Sequence, residues 1–294
     1  MKRNPKVAEA EIEVTEAELA PFLDKVILGD CRDILPKMPP GCVDMVFFDP
    51  PYFLQLPAKR LIRWQVRTLV EGVNDEWDKF SSFSEYDALL KSSLEAVRRV
   101  MKPEGTIWSI GTYHNIFRIG TVLQDLGFWI LNDVIWVKTN PMPNWLNVRF
   151  TNATETLIWA VKDKKAKNYT FHRDVAKQFS NTKLAANMWH IPLCTGKQRL
   201  KDEAGKKLHS TQKPEVLLER IISVSSEPGD VILDPVAGTG TTGYAARKLG
   251  RHFIMVEKVA KYVDAAERRL EALQLGMGEP ERNRKEQVEP SGVF

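Results

Sequence analysis

Seven short apolar runs constrain the fold more than any other feature of the chain: DKVILGD (24–30), VDMVFFD (43–49), GTIWSIG (105–111), FWILNDVIWVK (128–138), TETLIWAVK (154–162), GDVILDP (229–235) and RHFIMVE (251–257). Several are continuous rather than alternating, as in strands covered on both faces. Helical patterns between them supply the cover. In SEYDALLKSSLEAVRRVMK (84–102), Leu90, Leu94, Val97 and Met101 form one stripe, Ser84 is placed to cap the start, and Pro103 follows the basic last turn. KPEVLLERIISVSS (213–226) has Pro214 for a first turn, GTTGYAARKLG (240–250) follows a glycine-rich turn, and a last helix is expected from about Val259 to Leu273. Strands alternating with helices predict a mostly parallel sheet wound on both faces. With no helix between 128–138 and 154–162, one pair is expected to be antiparallel. The stretches 53–80 and 163–212 fit no regular element, and loops of that length usually carry function.

Composition narrows the setting. No apolar stretch approaches the roughly 20 residues of a membrane span, and the N-terminus lacks the apolar segment of a signal peptide, so a cytoplasmic protein is expected. The cysteines (Cys31, Cys42, Cys194) form no CxxC pair, and the five histidines show no metal-ligand spacing, so neither disulfides nor a metal is expected. The net charge is +4, but residues 162–207 carry twelve Lys/Arg against four Asp/Glu. A basic block on an acidic body suits a polyanion.

VILDPVAGTGTTG (231–243) reads as strand, turn and helix, with Gly238, Gly240 and Gly243 in the G-x-G-x-x-G pattern. Glu257 ends the next strand, where a carboxylate can hold ribose hydroxyls. This points to a nucleoside cofactor, NAD among the candidates; no lysine follows the glycines, which excludes a P-loop. The strand, however, ends in Asp234-Pro235. A carboxylate there repels a pyrophosphate and attracts a cation, which favours S-adenosyl-L-methionine.

VDMVFFDPPYFLQL (43–56) ends an apolar run in Asp49, Pro50, Pro51 and Tyr52. In an open α/β sheet, ligands bind beyond the carboxyl ends of strands. The prolines stiffen the turn and leave no N–H to compete for Asp49. What remains is a carboxylate, the Pro50 carbonyl and a flat ring, a set suited to an exocyclic amine on a planar base. Drawing both amine hydrogens into acceptors turns the nitrogen lone pair out of the ring system and makes it nucleophilic. A nicotinamide dehydrogenase built on the glycine loop would leave these four residues without a role.

The pair D-P-P-Y and D-P-x-A-G-T-G-T-T resembles the motifs of the β-class DNA amino-methyltransferases, in that order along the chain. LGDC (28–31) and HSTQKP (209–214) resemble two further motifs of that family, and NPMPNWLNVRFTNATETLIWAVK (140–162) is similar to a segment of its cell-cycle-regulated and type II members acting on GANTC-like sites. The resemblance covers roughly 25–275. It implies a circularly permuted, Rossmann-like, S-adenosylmethionine-dependent methyltransferase fold of the α/β class with a seven-stranded, mostly parallel sheet. It implies a catalytic domain over 25–275 with DNA-contacting loops at about 53–80 and 139–210, between a tail at 1–24 and a polar tail at 276–294. Asp49, Pro50, Pro51 and Tyr52 would be catalytic. The cofactor would meet Asp30, Cys31, Asp49, the run His209, Ser210, Thr211, Gln212 and Lys213, the turn Asp234, Pro235, Ala237, Gly238, Thr239, Gly240, Thr241 and Thr242, and Glu257 with Lys258. The target is expected to be adenine N6, since Asp before PPY accompanies adenine in the family, with cytosine N4 as the alternative.

A base inside a duplex cannot reach Asp49, so it must be flipped out. Arg60, Arg63, Trp64 and Arg67 in one loop, and Asn140, Asn144, Trp145 and Arg149 in the other, are candidates for gripping double-stranded DNA, with the basic block on phosphates. The resemblance also implies a possible homodimer. The chain departs from the family pattern at Phe53, where Asn is common, at Val236-Ala237 and at Ser210, and it is expected to be without the C-terminal extension of the GANTC enzymes.

Overall fold

The computed structural model describes residues 14–54, 61–63, 68–70, 75–144, 148–180 and 183–276. Eight strands form the main sheet: β1 (Lys25–Leu28), β2 (Val43–Phe48), β5 (Met101–Gly111), β6 (Trp129–Lys138), β7 (Thr154–Val161), β8 (Met188–Ile191), β9 (Val231–Asp234) and β10 (His252–Glu257). A separate antiparallel ribbon pairs β3 (Leu61–Arg63) with β4 (Thr68–Val70). The order across the sheet is β1-β10-β9-β2-β5-β7-β6-β8, and β7 alone runs against the others.

The continuous apolar strands are covered on both faces, as their composition requires. In β2, Val46 and Phe48 join one core with Leu90, Leu94 and Val97 of α3 (Phe83–Val100) and Ile119 and Leu123 of α4 (Ile116–Asp125). Met45 and Phe47 point the other way, toward Leu218, Ile221 and Ile222 of α6 (Glu215–Ser225), Ala245 and Ala246 of α7 (Thr241–Lys248) and Leu270 of α8 (Ala260–Gln274). Among the described residues there are also the short helices α1 (Glu16–Leu19), α2 (Cys31–Ile34) and α5 (Arg173–Gln178).

Several expectations are corrected. The sheet has eight strands, not seven, because 163–212 contributes β8 as an edge strand parallel to β6. Its four residues alternate buried Trp189 and Ile191 with exposed Met188 and His190, too short a pattern to stand out. The cap of α3 is Ser82, whose hydroxyl accepts from Glu85 N–H, and Met101 opens β5 instead of closing the helix. Pro214 sits at the N-cap of α6, one residue ahead of its first turn. Helix α4 is a further addition; Gly120 lies where a Cβ would come 3.3 Å from Ile158 Cδ1, so the helix packs closely on β7. The predicted β6–β7 pair is antiparallel. The cysteines are buried and free. Among the described residues, no helix is long and apolar enough to cross a membrane and no His/Cys/Asp/Glu group could hold a metal.

Candidate active site

Strands β9 and β2 lie side by side, and the chain leaves them in opposite directions across the sheet, toward β10 and β1 on one side and β5 on the other. Ligands in open α/β sheets bind at such a switch point, beyond the carboxyl ends. Asp234 ends β9 and Asp49 follows β2, so both carboxylates stand at this edge. One cavity there is lined by Asp30 and Cys31, by Asp49 through Tyr52, by His209 with Thr211 to Lys213, by most of the β9–α7 turn, and by Glu257 and Lys258. Nearly all the residues proposed from sequence for catalysis and cofactor binding therefore meet in one place.

Ser210 and Gly240 do not line it. Ser210 Oγ donates to Asp75 Oδ2 at 2.8 Å. Gly240 has φ +76° and a Cβ there would come 2.6 Å from Ala266 Cβ, so this glycine serves a left-handed turn packed on α8.

The Asp49 corner is rigid. Lys213 Nζ donates to Asp49 Oδ2 at 2.6 Å, whereas Asp49 Oδ1 is buried without a hydrogen-bond partner. Burial raises the Asp49 carboxyl above the usual range, and the Lys213 ammonium opposes the rise. The Pro51 carbonyl accepts from Tyr86 Oη at 2.7 Å and Asn115 Nδ2 at 3.3 Å. Phe53 takes φ +50°, and its N–H and that of Leu54 donate to the two oxygens of Asp78 at 2.7 and 3.0 Å. Tyr52 is buried, and its hydroxyl donates to Glu155 Oε2 at 3.0 Å.

The opposite wall is acidic. Asp234 Oδ1 accepts from Val236 N–H at 3.1 Å and Oδ2 from the Thr242 hydroxyl; burial pushes its carboxyl up to about 7, helped by the charges of Asp49 and Glu257. Glu257 accepts from Gly238 N–H at 2.8 Å and Val259 N–H at 2.9 Å, which pins the turn to the end of β10. Its carboxyl is raised by burial. Asp30 caps α2 and is gripped by Arg32 at 2.7 Å, which holds its carboxyl low. Gln212 braces the neighbouring chain, accepting from Leu200 N–H and donating to the Gln198 carbonyl.

His209 is framed by two rings, one of which, Tyr262, sequence reasoning missed. Trp77 stacks on its ring at 5.5 Å and Tyr262 tilts against it at 4.7 Å, both lining the cavity. Burial drives the imidazole down to about 3, so it is neutral. Its Nδ1 faces Thr211 N–H at 3.2 Å, which assigns the proton to Nε2. No motif marks Tyr262 or Asp78, and Glu155 lies within the quoted 140–162 segment without a role assigned to it; the W-D pair at 77–78 closes a long unpatterned stretch.

On the outer rim, Arg149 lies 6.0 Å from the Tyr113 ring, beside the carboxyl end of β5. Phe150 is 98% exposed. Asn144 Nδ2 donates to the Arg149 carbonyl and so braces its own segment, whereas Asn140 Oδ1 accepts from Leu193 N–H and ties that segment to the stretch after β8. Arg63 closes β3, opposite Thr68. Arg60, Trp64, Arg67 and Trp145 lie outside the described residues. Part of the basic block is structural: Lys162 Nζ donates to the Met101 carbonyl, and Arg199 to the carbonyls of His209 and Ser210.

The fold is that of DNA methyltransferases. A crystal structure of M1.HpyAVI in complex with SAM matches with a TM-score of 0.61 at 27% identity, over 84% of this chain and 98% of that one. The cytosine-N4-specific PvuII DNA methyltransferase matches in fold with a TM-score of 0.62 at 22% identity, over 83% of this chain and 85% of that one. The DNA methylase family model matches residues 43–268, and the chain belongs to that family. Type II methyltransferase M.HinfI of Haemophilus influenzae is 50% identical over 249 residues, 85% of this chain and 68% of the relative. Type II methyltransferase M2.DpnII of Streptococcus pneumoniae is 43% identical over 252 residues, 85% of this chain and 91% of the relative. The protein is a DNA methyltransferase.

Proposed function

We propose that the protein methylates the exocyclic N6 of an adenine flipped out of double-stranded DNA, with S-adenosyl-L-methionine as methyl donor. One observation carries the reading: Asp49 Oδ1 is a buried acceptor without a partner, one residue from the Pro50 carbonyl and beside the Tyr52 ring. An unpartnered buried oxygen is costly unless a ligand supplies its donor. When bound, S-adenosyl-L-methionine supplies an electrophilic methyl on a cationic sulfur. Asp49 and the Pro50 carbonyl accept the two amine hydrogens, and Tyr52 supports the base plane. The nitrogen lone pair is thereby aimed at the methyl, and Asp49 takes the proton the nitrogen then loses. Cavity carboxylates Asp30, Asp49, Asp234 and Glu257 suit a cationic, phosphate-free nucleoside better than a dinucleotide. Within this reading Glu257 serves the ribose, Asp30 the adenine end, and the 209–213 turn the methionine end.

On the DNA side, Arg149 and the exposed Phe150 face the helix, with the basic block on phosphates. The two Type II relatives support a restriction–modification setting in the cytoplasm, and a homodimer belongs to the same reading, tested by the mass in solution. The deciding experiment is methylation of duplex DNA by the purified chain, followed by mass spectrometry of the nucleosides. N6-methyladenine is expected. N4-methylcytosine would move the target to cytosine, and no methylated base with an active-site Asp49→Ala control indistinguishable from wild type would end the reading.

A further inference from the structure

Two buried charges outside the cavity remain unexplained by the site described above. Glu155 is the second residue of β7 and Lys138 closes β6, and each is 8% exposed. Lys138 Nζ lies 2.9 Å from Glu155 Oε1, while Glu155 Oε2 accepts the Tyr52 hydroxyl at 3.0 Å. The strands hold the pair in register: Trp136 faces Glu155, Val137 faces Thr154, and Lys138 N–H donates to the Ala153 carbonyl at 2.8 Å.

A buried ion pair is a poor stabiliser, because desolvating both charges offsets their attraction, and apolar residues of similar size often serve as well. The cost calls for another role, and the Tyr52 hydroxyl is what the pair touches. Pro50 and Pro51 fix the backbone up to Tyr52 but leave its side-chain torsions free. A charge-assisted hydrogen bond at the far end of the ring restricts both torsions. Lys138 keeps Glu155 available as a full acceptor without leaving it as a lone buried charge.

We infer that Glu155 and Lys138 are positioning residues that set the plane of the Tyr52 ring for the acceptor base. The inference rests on the methyl-transfer reading, in which Tyr52 meets that base. Paired substitution removes both charges at once: Glu155→Leu with Lys138→Met. This variant should bind S-adenosyl-L-methionine with unchanged Kd and lose single-turnover methylation by roughly 10²-fold, the scale of an ångström-level misplacement. Tyr52→Phe should lose a similar factor, and adding the paired substitution to Tyr52→Phe should lose nothing further, since both act through one hydroxyl. If the paired variant fails to fold, Glu155→Gln is compared in the wild-type and Tyr52→Phe backgrounds in the same way. Wild-type turnover in the Glu155 variants, or losses that multiply with Tyr52→Phe, would overturn the inference while wild-type methylation still upholds the proposed function. Absence of methylation by the wild type would instead fail that function.

Discussion

Lys213 Nζ lies 2.6 Å from Asp49 Oδ2, although the two residues stand 164 positions apart in the chain. The ammonium also sits 5.0 Å from the Tyr52 ring centroid and donates to the Thr211 carbonyl at 3.3 Å. Burial raises this carboxyl; the adjacent cation opposes the rise and occupies one oxygen, leaving the other for a ligand. The turn of HSTQKP thus reaches across the cavity to the strand end that bears DPPY.

Lys213→Met should move the acid limb of methylation to higher pH. Asp49 is faced by Lys213, Tyr52, Glu155 and Asp234, and only the lysine lowers its carboxyl through charge. Without it, burial and the remaining anions raise the carboxyl further, so activity at neutral pH falls and partly recovers at alkaline pH. Lys213→Arg should restore much of the wild-type profile. Single-turnover rates across pH check this, and an unmoved limb would contradict it.

Cofactor affinity should strengthen as pH rises through about 7. The Asp234 carboxyl is pushed up to about 7 by burial, so below that pH it is protonated and a bound cation must displace a proton. Affinity is expected to weaken by up to about tenfold per pH unit below the midpoint. Calorimetry in buffers of different ionisation heat should register proton release near pH 6 and none near pH 9. For stability the sign is opposite. The folded protein holds this proton where the unfolded chain, at 3.8, has lost it, so stability without cofactor declines from about pH 4 to pH 7. Asp234→Asn should therefore raise Tm more at pH 8 than at pH 5.

Gly240→Ala should destabilise the protein by about 1–3 kcal/mol, as strain at a left-handed position adds to the contact with Ala266 Cβ. Denaturant unfolding measures it. Gly243→Ala should cost less, because the atoms it would meet first are the Cε and Sδ at the movable end of Met255, and its φ is ordinary.

Asp78→Ala should lower turnover with little change in cofactor Kd. It strips the acceptors from two amides, each costing about 1–3 kcal/mol if left unpaired and buried, in the turn directly after Tyr52. Phe53→Asn suits the left-handed backbone better but deletes a ring packed against Phe80, Phe83 and Tyr86 at 5.1–5.7 Å. Loss of a buried phenylalanine, about 3–5 kcal/mol for truncation to alanine, outweighs roughly 1–2 kcal/mol of relieved strain. The variant should melt lower than wild type, and a higher Tm would refute this weighting.

The sequence by itself determined seven of the eight strand runs of the main sheet, the two turns that bear DPPY and the glycines, and the two faces the central strands must bury, because these are recorded in local periodicity and turn chemistry. Asp49, Asp234 and Glu257 were readable for the same reason: each is the residue that ends or follows an apolar run. Tertiary structure alone decided that β2 and β9 are neighbours, and so that DPPY and the glycine turn share one cavity. It also decided the partners of those residues: Lys213 for Asp49, Glu155 and Lys138 for Tyr52, Asp78 for the turn after it, and Trp77 and Tyr262 around His209. No period or motif links such residues, since the strand order that brings them together depends on how the whole sheet packs.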